Sequence, residues 1–403
     1  MNPSVQFLQS VSANLAYWRT RLTGAREGDF AAVDADWPNL RRAVEFGGAR
    51  PELWPDAAAL AQQAFTFVER RAYGREWCVT LARLAAAELP DRAAARCVLL
   101  DQMGHLYRQD WQLPEALAAH HAAEALAQAT GDQKELAYAR FSLSEDYRCQ
   151  RDYEAAEDCA QSALALFTQV GAGPAQLATV YHTLGLIAHA RGAHAAAQAH
   201  FEQALARNSG QDHPTDRARM LNNLGNSLAA SGRAEAALDR YAEARALLEP
   251  TASEIDKCQL ELSAGTVYFN LGRFAEAAAA VERADSEYLR QSGPAYWQAL
   301  VSNNKGNVLL ALDQLPEAER CLREALALWR RLSDDVQRAN TAGTLAEVLV
   351  KLGHPAEARP LYDEALAALE RYRDDAWGRS LHAKFTAQRQ ALESGPAGDA
   401  PAV

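Results

Sequence analysis

Alanine recurs along this chain on a fixed frame of 40 or 41 residues, and the frame limits what the chain can fold into. Take as zero mark Gly225, within Asn222-Asn223-Leu224-Gly225-Asn226. The equivalent marks are Gly104, Ser144, Gly185, Gly265, Gly306 and Ala346. Twelve residues after each mark stand Ala116, Ala156, Ala197, Ala237, Ala277, Ala318 and Ala358. Nineteen after stand Ala123, Ala163, Ala204, Ala244, Ala284, Ala325 and Ala365. Ala makes up about a fifth of the chain, so chance would give most of these fourteen places to other residues. A period of this size is the signature of a solenoid, in which each unit touches only its neighbours. A single core would be unusually large at 403 residues, and a solenoid avoids that limit.

The frame reads as pairs of helices. Helices approach to roughly 8–10 Å only where small side chains line the crossing. The zero mark lies on the first helix of each pair. The +12 and +19 alanines, two turns apart, share one face of the second. The +7 residue is where the first helix must stop. Gly192, Gly232, Gly272 and Gly353 suit a cap with positive φ. Trp111, Arg151 and Asp313 hold that place elsewhere, so those three turns are expected to be built differently. A large side chain fills +16 at Phe201, Tyr241, Val281, Leu322 and Tyr362, whereas His120 and Ala160 depart from the pattern.

This pattern resembles the tetratricopeptide repeat: Leu-Gly, a Tyr three on, Ala, an aromatic four on, and a last Ala. Tyr107, Tyr147 and Tyr268 supply the first Tyr; Ala188, Leu228, Leu309 and Leu349 do not. The family unit is about 34 residues, so each pair or its connector is longer here. The resemblance covers residues 92–372 and implies architecture far more than function.

Outside that span, residues 5–22 read as one helix, with Phe7, Leu8, Val11, Leu15, Trp18 and Leu22 near helical spacing. Residues 23–30 read as a loop. A helix follows Asp36 with Pro38 in its first turn, and Gly47-Gly48 ends it. Residues 55–71 and 75–88 form a degenerate pair, with Glu76 and Arg83 where the alanines should be. Terminal repeats are atypical because one face meets water. The domain reading is therefore an N-terminal helical cap (1–50), a degenerate pair (51–91), seven repeats (92–372), a capping helix (373–393) and a disordered tail (394–403).

The N-terminal part has a second resemblance. Asp36-Trp37-Pro38-Asn39-Leu40-Arg41-Arg42-Ala43-Val44-Glu45, then Gly74-Arg75-Glu76-Trp77, is similar to the helical entry of the sensor region in STAND-class signalling ATPases. That resemblance implies an inducer-sensing role. The chain departs from the family in having no Gly-x-x-x-x-Gly-Lys-Ser/Thr loop, so it is not itself the ATPase.

Several classes fall away on composition. The net charge of −11, with only five Lys, does not fit the clustered positive charge of a nucleic-acid binder. The six Cys form no C-x-x-C pair and read as reduced core thiols. No apolar run reaches membrane-spanning length, and residues 1–9 lack the pattern of a secretory signal. A cytoplasmic location is expected. No two His are four apart as a helical metal site prefers. Adjacent carboxylates such as Glu145/Asp146 diverge on a helix, and there is no Gly-x-Ser-x-Gly elbow. No catalytic residue, metal or cofactor is assigned.

What remains is a polar ladder on the first helices. At −2 stand Gln102, Ser142, Thr183, Asn223, Ser263, Asn304 and Thr344; at +1 stand His105, Glu145, Leu186, Asn226, Thr266, Asn307 and Glu347. The family resemblance implies that first helices line a concave face. Asn carries both donor and acceptor, so paired Asn can bridge a peptide's N–H and C=O. The candidate partner-binding residues are Gln102, His105, Arg108, Glu145, Arg148, His182, Arg219, Asn222, Asn223, Asn226, Thr266, Asn270, Asn303, Asn304 and Asn307. Arg108, Arg148 and Arg219 are the candidates for gripping a ligand carboxylate. The opposing reading is a solvated helix face whose Asn side chains hold neighbouring helices.

The expectation is an all-α right-handed solenoid that acts as a non-enzymatic scaffold for a protein or peptide. One alternative is an inducer-sensing module of a STAND-type regulator. Another is a regulator that stimulates dephosphorylation of a response regulator, for which Gln102 or Glu145 would have to reach into the partner. No membrane or nucleic-acid partner is expected, and a homo-oligomer is compatible with such a surface.

Overall fold

The computed structural model describes residues 3–24, 31–71, 73–87, 92–208, 214–251, 253–332, 334–373 and 376–394. The disordered tail expected at 394–403 falls outside these except for its first residue, as do residues 25–30 of the expected loop. The described residues form α-helices and no strand. None of these helices is long and apolar enough to cross a membrane. The chain divides into two compact units, 1–208 and 209–403.

Unit 1 begins with α1 (Pro3–Gly24), α2 (Ala31–Asp34) and α3 (Trp37–Gly48), followed by α4 (Trp54–Arg70) and α5 (Gly74–Ala85). These five pack around one core, in which Trp37 stacks on Tyr73 at 4.6 Å and Phe67 and Trp77 close the cluster. The degenerate pair α4/α5 has Trp77 buried, while Glu76 and Arg83 face water. Three regular hairpins follow: α6 (Ala93–Gln109) with α7 (Leu113–Thr130), α8 (Gln133–Gln150) with α9 (Tyr153–Gln169), and α10 (Pro174–Ala190) with α11 (His194–Arg207).

Unit 2 repeats the hairpin: α12 (Pro214–Ala230) with α13 (Ala234–Leu248), then α14 (Glu254–Asn270) with α15 (Phe274–Ala284) and α16 (Glu287–Ser292). Next come α17 (Ala295–Ala311) with α18 (Leu315–Leu332), and α19 (Asp335–Lys351) with α20 (Pro355–Leu369). The chain then passes a 3₁₀ turn into α21 (Ala376–Ser394), which packs on α19 and α20 as the expected capping helix. One pair is less regular than the frame predicts. Its second helix stops at Ala284 and restarts as α16, because Ser286 turns extended and its side chain accepts the Leu289 N–H.

The alanine frame does the packing it was expected to do. All fourteen alanines at +12 and +19 are at most 1% exposed. The zero mark meets +16: a Cβ on Gly225 would lie 2.4 Å from the Tyr241 ring. His120 does not depart from this design. Its ring occupies the same seat, 2.3 Å from where a Gly104 Cβ would be.

The +7 turns correct the sequence reading. Trp111, Arg151 and Asp313 take φ of 57°, 64° and 59°, beside 80° at Gly232. All of these turns are thus built alike, in the left-handed region, because the two following N–H groups must close on the helix end in every repeat. Gln112 N reaches Tyr107 O at 2.9 Å as Arg233 N reaches Leu228 O at 2.9 Å. An L-residue there costs about 1–2 kcal/mol. Asp313→Gly and Arg151→Gly are each expected to raise stability by about 1 kcal/mol, read as a higher denaturation midpoint in urea with unchanged slope. A lower midpoint would show that the side chains contribute more than the strain removes.

Candidate functional site

The first helices of neighbouring pairs adjoin within each unit: α6 and α8, α8 and α10, then α12, α14, α17 and α19. The polar ladder lies along these helices, and much of it bonds across to the next pair.

In unit 1 the ladder forms a continuous network. His105 Nε2 meets Glu69 Oε1 at 3.1 Å and its Nδ1 meets Arg108 at 3.0 Å. Arg108 donates to the Ser142 carbonyl at 3.2 Å and to Asp146 Oδ1 at 2.8 Å. The other Asp146 oxygen meets His120 Nδ1 at 2.5 Å. His120 Nε2 faces the Asp101 carbonyl at 3.1 Å, which can only accept, so Nε2 carries a hydrogen and donates. Asp146 and His120 are fully buried and the Arg108 side chain is 15% exposed. Ser142 donates to Asp101 Oδ1 at 2.5 Å.

Glu145 is held just as firmly. Burial alone would raise its pKa, but Arg148 at 2.7 Å and the Thr183 hydroxyl at 2.7 Å outweigh that and hold it below the ordinary carboxylate range. For Arg148, burial works to lower the pKa and Glu145 more than reverses it. Gln102 donates to the Gln62 carbonyl at 3.4 Å, and its own Oε1 is buried without a hydrogen bond among the described residues. His182 sits against Phe201 at 5.6 Å.

In unit 2, Arg219 grips Asp256 through two bonds, 2.7 and 3.0 Å. Each of the three arginines considered for a ligand carboxylate thus already holds one from its own chain. Asn303 is buried and accepts the Thr341 hydroxyl at 2.8 Å. Asn222 is buried too, its Oδ1 without a hydrogen bond among the described residues. Asn223 is half-buried. Asn226 accepts the Tyr241 hydroxyl at 2.7 Å. Asn304 donates to Leu300 O at 2.8 Å, and Thr266 donates to Leu262 O at 2.9 Å. Asn270 is exposed and Asn307 half-buried.

The structure therefore brings Gln102, His105, Arg108, Glu145, Arg148 and His182 together on unit 1, and the remaining candidates on unit 2. Sequence reasoning missed Asp146, His120 and Asp256 as partners. It also missed Glu261, buried between Arg245 at 2.5 Å and Arg283 at 2.8 Å. His120 carried a usable signal: a polar ring in an apolar seat needs a partner, and an Asp on the next first helix supplies it.

The described residues hold no group of three or more side chains placed to bind a metal. Five of the six thiols are buried and Cys149 is half-buried. Burial pushes Cys78 and Cys258 up to about 12 and Cys97 up to about 11, so these three are poor nucleophiles.

The tetratricopeptide repeat model matches residues 145–209, 176–249 and 297–371. No curated protein matches the sequence. Among solved structures, the apo form of the quorum sensor NprR from B. thuringiensis is similar, with a TM-score of 0.65 at 14% identity over 90% of this chain and 99% of that one. NprR in complex with its cognate peptide NprX gives 0.52 at 14%, over 75% and 84%. Aspartyl phosphate phosphatase F from Bacillus subtilis gives 0.56 at 15%, over 92% and 95%.

Proposed function

The chain is a tetratricopeptide repeat protein, and from that fold we propose that it acts as a non-enzymatic recognition scaffold, binding a segment of polypeptide on the first helices of unit 2. One observation carries the reading. In a stack whose polar side chains mostly bond to one another, Thr266, Asn270 and Asn307 keep side chains at the surface of adjoining helices. Asn226, at the +1 place on α12, still has its amide hydrogens to give. Amide side chains at the surface of a stable stack supply directional bonds without adding to its packing. A fold-mate complexed with its cognate peptide supports the choice of ligand class.

The test uses Asn270 and Asn307, whose side chains make no hydrogen bond among the described residues. Asn270→Ala with Asn307→Ala should leave the melting temperature within about 2 °C, because surface changes cost under about 0.5 kcal/mol. It should weaken capture of partners from native lysate by about tenfold, the loss of two hydrogen bonds. Undiminished capture by the double variant would remove the basis for the site.

The alternative of stimulating dephosphorylation is similar in fold to the phosphatase above. Its two sequence candidates are engaged internally: Gln102 donates to Gln62 O, and Glu145 is bound by Arg148 and Thr183. That activity would need other residues.

A further inference from the structure

The first helices of the chain leave a groove that the packing does not fill. α1 and α3 lie against each other, and a groove of about 610 Å³ opens between them. Asn14, Tyr17 and Trp18 line it from α1, three and four residues apart on one face. Asn39, Arg42 and Phe46 line it from α3 with the same spacing. Along α1 the lining runs from Ser10 to Trp18, about 12 Å at the helical rise. That length suits a small molecule and holds only about four residues of extended peptide.

The polar groups of this groove are unspent. Of the four arginines on α1 and α3, Arg19, Arg21 and Arg41 each hold a carboxylate, at 3.5, 2.8 and 2.7 Å. Arg42 is exposed and holds none among the described residues, in a chain where acidic side chains outnumber basic ones by 11. Asn14 and Asn39 are exposed as well, and their amides make no hydrogen bond among the described residues. A planar guanidinium with amide donors beside it suits a carboxylate. The lining also limits the charge a ligand can carry. Asp36 lines the same groove and is matched by Arg21, so Arg42 alone is left to meet an anion. A second negative charge would face Asp36 with no cation to spare.

The walls are aromatic. Tyr17 is 54% and Phe46 58% exposed, while Trp18 between them in the lining is buried. Open rings on both helices give a flat apolar group something to stack on.

We propose that this groove binds a small aromatic monocarboxylate, with Arg42 on the carboxylate and Tyr17 and Phe46 against the ring. The site belongs to unit 1, so it stands or falls apart from the peptide-binding reading, which concerns unit 2.

The experiment uses the full chain and three probes followed by saturation-transfer NMR: cinnamate, its neutral amide cinnamamide, and the doubly charged phenyl phosphate. Cinnamate should bind with a dissociation constant of about 1 mM or lower, and the other two about fivefold more weakly. Arg42→Gln should weaken cinnamate about fivefold and bring it level with the amide. Phe46→Ala should weaken cinnamate and cinnamamide alike, by about threefold. Both side chains are exposed, so the melting temperature of each variant should stay within about 2 °C of the parent. No saturation transfer from cinnamate at about 5 mM, well above that dissociation constant, overturns the proposal. Equal binding of cinnamate by Arg42→Gln, or of cinnamamide by the parent, overturns it too, because Arg42 would then not be reading the charge. Phenyl phosphate bound as tightly as cinnamate overturns the restriction to a single charge, and the proposal with it.

Discussion

Asp146→Ala is expected to lower the melting temperature of unit 1 by about 6–20 °C, from a loss of about 3–5 kcal/mol. The reason is asymmetry. The carboxylate of Asp146 is fully buried and bonded by Arg108 at 2.8 Å and His120 at 2.5 Å. Truncating it leaves a guanidinium and a buried ring facing a gap, and the cost of an orphaned charge exceeds what the intact pair contributes. His120→Phe is the informative contrast. Phe201 shows that this seat against the first helix accepts a phenyl ring. Asp146 would keep Arg108, so the expected loss is only about 1–2 kcal/mol. The double variant should cost less than the two singles together, because the partners belong to one network. Calorimetry on the full chain checks all three. A change under about 1 kcal/mol for Asp146→Ala would mean that the network is not closed as described.

That network also marks where the sequence stops being readable. The hairpins were legible because packing demands repeat: every +12 and +19 place wants a side chain no larger than a methyl, so the demand appears seven times over. The degenerate first pair was legible as a departure from the same frame, with Glu76 and Arg83 where the alanines should be. Pairing between repeats is solved once at each junction. Asp146 meets Arg108, Asp256 meets Arg219, and Glu261 meets two arginines from flanking helices. No period reveals such pairs, so the ladder looked like a row of groups awaiting a ligand when much of it ties helices together. The turns failed for another reason. A left-handed residue was sought through glycine, whereas the hydrogen bonds closing the helix impose that conformation on Trp111, Arg151 and Asp313 as well. The division at 208 left no mark either, since the frame steps from Gly185 to Gly225 unchanged.

Gly225→Ala is the sharpest test of the frame itself, because local and tertiary preferences point in opposite directions. In the interior of an isolated helix the exchange would stabilise by about 1 kcal/mol. Here the new methyl would lie 2.4 Å from one carbon of the Tyr241 ring and 2.9 Å from the next. The ring cannot swing aside freely. It is 1% exposed, and its hydroxyl is tied to Asn226 at 2.7 Å. Either α12 and α13 separate or the ring leaves its rotamer, and overpacking of this kind costs about 1–3 kcal/mol. A net loss of stability is therefore expected where helix propensity alone predicts a gain. Ser144 and Ala160 hold the corresponding places of another pair, so the chain already contains the size exchange that should relieve the clash. Adding Tyr241→Ala to Gly225→Ala should cost less than Tyr241→Ala adds to the parent chain, where it leaves a cavity worth about 3–5 kcal/mol. Equilibrium unfolding of the four proteins closes the cycle. If Gly225→Ala stabilises, the zero mark is not a crossing point, and the spacing of small residues has some other cause.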